Sequence, residues 1–279
     1  MIEHNYLWDE TSTRYQLVSN NSGKNYNWLF LPGGPGADSK YLEGLAIELS
    51  LPGNAWLIDL PNNGSNHVCD DYDFDNWFEL LLSLVSRFQN PILVGQSFGG
   101  MFPLMFPQLE QMLAGFVILN SSPMLWHDTA NRVAKDKGKP SIEIPLQNFV
   151  ANPSDETFKT ALMACAIYYF TDKTLEQGKQ VLQDLPFNYH AANWWQVKAV
   201  ELNFNATWIP ESVKTLIIGG SEDCMTPPEL FENDGRFKRD NITIKTIQNA
   251  GHMPWIDDMS SVKELFERFQ SNLIGDKDY

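Results

Sequence analysis

Residues 91–100 read Pro91-Ile92-Leu93-Val94-Gly95-Gln96-Ser97-Phe98-Gly99-Gly100. A short apolar run with β-type residues flows into G-x-S-x-G, and Met101 to Phe106 that follow are apolar and suited to open a helix. A serine on so tight a strand-to-helix turn is driven out of the ordinary backbone regions. Glycines at Gly95 and Gly99 remove the side chains that would collide there. The turn therefore predicts a hydroxyl raised at the end of a sheet, ready to attack a carbonyl. To act, Ser97 needs a base, an acid that orients the base, and donors for an oxyanion.

On either side of this turn, short β-type runs alternate with helical patterns. Strands are predicted at Tyr15–Ser19, Tyr26–Leu31, Ala55–Asp59, Ile92–Val94, Gly115–Asn120, Thr215–Gly219 and Ile242–Ile247. Helices are predicted near Lys40–Leu49, Asn76–Phe88 and Phe98–Leu104. A final helix carries Val262, Leu265, Phe266, Phe269 and Leu273 at helical spacing. This order predicts an α/β fold with a mostly parallel central sheet and helices on both faces.

The alternation stops after Ser122. From Pro123 to about Trp208 no strand is predicted, and helices are expected at Asp155–Phe170, Thr174–Leu185 and His190–Leu202. The expected organisation is a core of residues 1–122 and 209–279 with a helical cap of residues 123–208. An insertion there sits above the carboxyl ends of the strands, where such folds bind ligands. Its aromatics, from Trp126 to Trp208, are expected mainly to pack the insertion, with some facing a pocket.

Five histidines are candidates for the base. His4 lies in the N-terminal stretch, His67 in a polar loop, and His127 and His190 in the insertion. His252, in Asn249-Ala250-Gly251-His252-Met253-Pro254-Trp255, follows the last strand and shares the sheet edge that must carry Ser97. Asp223 follows the apolar run Leu216-Ile217-Ile218 at another strand end, with Glu222 beside it. Its shorter side chain, reaching from a turn, is the more rigidly held acid. Asp257 and Asp258 come too soon after His252 and are expected to start the final helix near its positive end. Gly33-Gly34-Pro35-Gly36 ends a further strand. Its bare backbone would offer the Gly34 N–H, with the Phe98 N–H after the elbow, as the oxyanion pair.

These motifs, in the order Ser97, Asp223, His252, resemble the α/β-hydrolase fold with a helical cap. Gly33-Gly34-Pro35-Gly36 and Gly95-Gln96-Ser97-Phe98-Gly99-Gly100 are similar to the H-G-G-P-G and G-Q-S-W-G-G motifs of proline iminopeptidases. Pro32 replaces the histidine of the first motif and Phe98 the tryptophan of the second. Asp59-Leu60-Pro61-Asn62-Asn63-Gly64-Ser65-Asn66 departs from the D-x-R-G-x-G-x-S of those peptidases and is nearer to the esterase and lactonase branch. Asn62 is a residue that can hold a left-handed turn there. The resemblance implies a triad of Ser97, Asp223 and His252, an oxyanion hole of Gly34 and Phe98, and catalysis with no metal and no organic cofactor.

The 279 residues suit one large α/β domain or a core with one insertion. Twenty Lys and Arg against 35 Asp and Glu give a net charge of −15, which disfavours nucleic acid and anionic membranes as partners. Cys69, Cys165 and Cys224 are scattered, with neither a disulfide nor a metal spacing, and suit a reducing cytoplasm. No signal peptide and no membrane span is predicted. The expected partner is a small acyl substrate. The expected activity is hydrolysis of a small, largely apolar ester, thioester or lactone. Iminopeptidase-like amide hydrolysis is the alternative and needs a cap carboxylate such as Glu143, Glu156, Glu176 or Glu201. Carbon–carbon bond hydrolysis, acyl transfer and a non-catalytic binding role for the fold remain open.

Overall fold

Strand β3 (Asn27–Leu31) is buried along its whole length. Alternation sends Leu29 and Leu31 into one apolar layer and Trp28 and Phe30 into the other, as expected of a strand covered on both faces. The computed structural model describes residues 6–23 and 25–275. The remaining strands are β1 (Tyr6–Trp8), β2 (Arg14–Asn21), β4 (Gly53–Asp59), β5 (Pro91–Gln96), β6 (Gly115–Leu119), β7 (Thr215–Gly220) and β8 (Ile242–Ile247). They form one sheet in the order β1-β2-β4-β3-β5-β6-β7-β8. The β1–β2 and β2–β4 pairs are antiparallel and the rest parallel.

Every predicted strand is present, with ends shifted by a residue or two. Strand β1 is additional: it is three residues long, and its Leu7 and Trp8 are exposed, so no buried period marks it. Helices α1 (Glu43–Glu48) and α11 (Met259–Gly275) cover the Trp28 face, where Phe266 and Phe269 meet the indole. The opposite face is covered by α2 (Trp77–Ser86), through Trp77, Leu81, Leu84 and Val85, and by α3 (Phe98–Met101). The helix predicted over Phe98–Leu104 is shorter than expected. It gives way to a 3₁₀ turn at Phe102–Met105, where Pro103 lacks a backbone donor.

Between β6 and β7 lie five helices: α4 (His127–Asp136), α5 (Glu143–Ala151), α6 (Asp155–Tyr169), α7 (Leu175–Asp184) and α8 (Tyr189–Glu201). Helices α6, α7 and α8 coincide with the predicted ones; α4 and α5 are additional. Ser154 and Thr157 form a reciprocal capping box that fixes the start of α6. Phe149, Phe158, Ala161 and Ala192 make a small core within the insertion. Trp126, Tyr168, Trp195, Phe204 and Trp208 instead join the layer that holds α2 and α3. Two short helices, α9 (Glu229–Glu232) and α10 (Pro254–Asp257), follow β7 and β8. Among the described residues no helix is long and apolar enough to cross a membrane.

Candidate active site

Ser97 stands between β5 and α3 with φ 51° and ψ −117°, outside the regions a non-glycine residue ordinarily occupies. The flanking glycines make this possible. A Cβ on Gly95 would lie 2.0 Å from the Gly99 carbonyl oxygen, and one on Gly99 would lie 2.4 Å from that of Leu31. The turn is pinned by the Ser97 N–H donating to Leu119 O (2.9 Å) and by Ser121 Oγ donating to Ser97 O (2.7 Å).

At the end of β7, Asp223 is completely buried, and its Oδ2 lies 2.8 Å from His252 Nδ1. Oδ2 also accepts from Asn120 Nδ2 (3.0 Å) and Thr226 Oγ1 (3.0 Å), while Oδ1 accepts the Met225 and Thr226 amides (2.8 and 3.1 Å). Burial alone would raise the Asp223 carboxyl. The charge of His252 and these donors outweigh burial and hold it below its ordinary range. An ionised carboxylate at Nδ1 keeps the proton there and leaves Nε2 as an acceptor, the tautomer a general base needs. Glu222 is turned elsewhere and pairs with Lys137 at 2.6 Å.

The glycine loop after β3 is held from several sides. Gly36 N–H donates to Asn63 Oδ1, Asn63 Nδ2 donates to Ala37 O, and Asn188 N–H donates to Gly36 O, each at 2.8 Å. Gly34 has φ +107°, a conformation that glycine adopts freely. Among the described residues, neither the Gly34 nor the Phe98 N–H has a hydrogen-bond partner within the chain. Asn62, in the segment after β4, is left-handed at φ 61°, as expected of the residue that keeps that turn. Asp59 is clasped by Arg14 Nε and Nη2 (3.2 and 2.8 Å) and by Ser39, which anchors the far end of the glycine loop.

These segments meet at one cavity of about 80 Å³. Gly34, Ser97 and His252 border it on the sheet side; Leu162, Leu182 and Leu185 border it on the insertion side. Among the described residues no Asp, Glu, Lys or Arg lines it. Ser97 Oγ makes no hydrogen bond among the described residues. Such bonds are commonly long before substrate arrives and tighten in the complex. Of the insertion's aromatics, Tyr169 and Phe187 reach the cavity. The Tyr169 ring leans over His252, with centroids 5.0 Å apart.

The other described histidines lie off the cavity. His67 is exposed beside Asp70, His127 meets Gln196, and His190 packs on Tyr189; His4 lies outside the described residues. Glu143, Glu156, Glu176 and Glu201 are all exposed and line no part of the cavity. Asp258 caps α11 by accepting from Ser261 N–H at 3.0 Å, as expected. Asp257 does not. Its carboxylate reaches back to the Gly251 amide (2.8 Å) and the hydroxyls of Thr171 (2.8 Å) and Thr174 (2.7 Å), because α10 intervenes before the long helix. Asn120 and Thr226 were not anticipated. The only sequence signal for Asn120 is an asparagine closing an apolar strand, where its φ of 41° suits it. Cys165 and Cys224 are buried free thiols and Cys69 an exposed one. No group of His, Cys, Asp and Glu among the described residues is arranged to hold a metal ion.

A comparison with curated proteins finds no match. The structure is similar to that of a proline iminopeptidase-related protein from Thermus thermophilus, with a TM-score of 0.69 and 19% identity over 97% of this chain and 98% of that one. It is similar to a serine hydrolase from Cycloclasticus zankles (TM-score 0.68, 15% identity, 97% and 99% covered). It is also similar to a thermophilic esterase from Thermogutta terrifontis (TM-score 0.63, 17% identity, 94% of each chain covered). A sequence model of the alpha/beta hydrolase family matches residues 28–264, from β3 into α11, and so takes in every segment that borders the cavity. The chain belongs to the alpha/beta hydrolase family.

Proposed function

We propose that the chain is a serine hydrolase that cleaves a small, largely apolar ester, thioester or lactone through an acyl-enzyme on Ser97. The observation that carries this reading is the 2.8 Å contact of His252 Nδ1 with buried Asp223, at the edge of an uncharged cavity that Ser97 also borders. Ser97 Oγ attacks the carbonyl while His252 Nε2 takes its proton. Asp223 holds the imidazole and stabilises its cation. The Gly34 and Phe98 amides receive the oxyanion. His252 then protonates the leaving group, and a water activated by the same nitrogen releases the acid.

Cavity size supports a short acyl group. At about 80 Å³ the cavity is small beside the roughly 300–1,000 Å³ of pockets that take drug-sized ligands. The helical insertion, residues 123–208, serves as a cap whose leucines supply the apolar wall. An aminoacyl substrate brings an ammonium group, and the four candidate carboxylates lie away from the cavity, which favours the ester reading over the iminopeptidase one. On this reading a small acyl compound is the partner, with no nucleic acid, membrane or cofactor taking part. The three scattered cysteines, all free thiols, support a cytoplasmic setting.

The test is turnover of p-nitrophenyl esters of increasing chain length, beside a proline arylamide, by the wild type and by Ser97→Ala. Short esters should be cleaved fastest. The variant should lose about 10³-fold or more in kcat. Undiminished turnover by Ser97→Ala would remove Ser97 as the nucleophile, and faster cleavage of the arylamide than of any ester would restore the peptidase reading.

A further inference from the structure

Beside Tyr169, two further polar side chains border the cavity without a part in the chemistry above, Tyr41 and Gln96. They are joined. Gly33 N–H donates to Tyr41 Oη (2.6 Å), Tyr41 Oη–H donates to Gln96 Oε1 (2.7 Å), and Gln96 Nε2 donates to His252 O (3.3 Å). The chain of bonds ties the glycine loop after β3 to the residue before Ser97, and that residue to the backbone of the histidine loop. Tyr41 also stacks on Trp255, three residues past His252, with ring centroids 6.4 Å apart and planes inclined by 22°.

The connection has a chemical consequence. Gly33 and Gly34 both carry an N–H at the cavity, yet one donor is engaged and the other is not. There is no room for slack: a Cβ on Gly33 would lie 2.2 Å from Gln96 Oε1 and 2.9 Å from Ser97 Cβ. A loop pressed this closely against the nucleophile changes its donor geometry with any shift of the Gln96 amide. We propose that Tyr41 and Gln96 are positioning residues that set the oxyanion donor: by engaging the Gly33 N–H, Tyr41 orients the loop so that the Gly34 N–H is left for the substrate, while Gln96 locks this loop to the one that carries His252. Burial holds the Tyr41 proton on well above the ordinary tyrosine range, so the hydroxyl remains a neutral donor and acceptor at working pH.

This inference rests on the acyl-enzyme reading. The experiment uses the full chain as wild type, Tyr41→Phe, Gln96→Met and the double variant, with three readouts: steady-state hydrolysis of a short p-nitrophenyl ester, affinity for a trifluoromethyl ketone of the same acyl chain, and affinity for the matching methyl ketone. Misplacing a donor by a fraction of an ångström costs transition-state stabilisation and leaves ground-state binding alone. Tyr41→Phe should lower kcat by about 10- to 100-fold with KM within about 3-fold. Affinity for the fluoroketone, which forms an oxyanion on Ser97, should fall by the same factor, and affinity for the methyl ketone should hold. The double variant should be no worse than the poorer single one, because the two side chains act as one unit.

Wild-type kcat in Tyr41→Phe, or a loss of kcat without the matching loss of fluoroketone affinity, would overturn the proposal. If Tyr41→Phe does not fold, the same pair of affinities measured on Gln96→Met decides the matter by the same criterion. Fluorophosphonate labelling of the wild type separates the two layers. Failure to label Ser97 sinks the hydrolase reading itself, whereas labelling with an unaffected Tyr41→Phe sinks only the positioning role.

Discussion

Replacing Asp223 with Asn changes one oxygen for an NH₂ and should separate stability from activity. Oδ1 accepts from the Met225 and Thr226 amides, so the new carbonyl oxygen keeps that side. The NH₂ then faces His252 Nδ1, Asn120 Nδ2 and Thr226 Oγ1, all of which donate to the carboxylate. Two of these can adapt. Asn120 cannot: its Nδ2 also donates to Gly251 O (3.1 Å), and a flip would carry the NH₂ to the buried place of Oδ1, which has no partner. The Thr226 hydroxyl can rotate. His252 can move its proton from Nδ1 to Nε2 and accept at Nδ1. The last adjustment is fatal to catalysis, because Nε2 becomes a donor and no longer takes a proton from Ser97. We expect stability at pH 7 to fall by about 1–3 kcal/mol, the cost of leaving the buried Asn120 NH₂ short of one acceptor. We expect kcat to fall by about 10³- to 10⁴-fold, or about 4–5.5 kcal/mol of transition-state stabilisation. The Asp223 carboxyl is held below its ordinary range, so its contribution to stability is full above the unfolded carboxylate range and is lost as pH falls through the depressed folded value. The variant should lack that part of the acid limb. Thermal melts across pH and hydrolysis of a short p-nitrophenyl ester decide the matter. A variant that melts like the wild type and retains kcat within about 10-fold would show that Asp223 does not set the tautomer of His252.

A Cβ at Gly251 would lie 2.1 Å from the Tyr169 carbonyl oxygen, which accepts the His252 N–H at 2.6 Å. Gly251→Ala should therefore push the end of α6 off the histidine loop and lower kcat by about 10-fold or more, with a Tm drop by calorimetry; Gly44→Ala, with nothing within 4 Å, is the control and should be neutral or slightly stabilising. Equal kcat for the two variants would refute the contact's role. Burial would raise the Glu110 carboxyl, but donors from Ser212, Glu211 and Trp208 bring it down to about 2. Its folded value is depressed, so its contribution is present above the ordinary glutamate range and lost as pH falls toward about 2. Glu110→Gln should cost about 1 kcal/mol at pH 7 after solvent screening and flatten the melting curve between about pH 4.5 and 2, with no change in kcat. Identical acid limbs for variant and wild type would contradict this.

The sequence is most legible where a local pattern and a backbone demand coincide. Apolar runs ending in Gly95, Gly219 and Asn120 mark strand ends, and Ser97 announces its own strained turn. The loops of Asp223 and His252 are readable because each follows an apolar run that can only be a buried strand. Residues whose role lies in a distant partner give no such signal. Tyr41 and Gln96 are 55 residues apart, and Gln96 reaches a carbonyl 156 residues on. Nothing in either neighbourhood marks them. Asp257 departs from expectation for a related reason. An acid just before a helix is ordinarily a cap, and only the intervening Pro254–Asp257 turn frees it to reach Gly251 and the threonines after α6.

The Asp257 contact bears on how the insertion and the sheet can move. The last two residues of α6 turn their carbonyls to the site: Tyr168 O accepts the Cys224 amide at 3.0 Å, beside Asp223, and Tyr169 O accepts that of His252 at 2.6 Å. A helix C-terminus has orphan carbonyls, and loops such as these have orphan amides. Each supplies what the other lacks. Thr171 and Thr174, just past the helix, are held by Asp257 of the core. Opening the insertion at this end would expose several backbone groups at once and detach the histidine loop from its support. The start of α6 has a different setting: Phe158 joins Phe149, Ala161 and Ala192 in a small cluster apart from the two main layers, and a Cβ on Gly36 of the glycine loop would lie 3.3 Å from the Phe158 ring and 3.4 Å from Ala192 Cβ. Both ends of the same helix thus bear on the candidate site, one on the loops of Asp223 and His252 and the other on the glycine loop, a division that the uniform helical pattern of residues 155–169 gives no hint of.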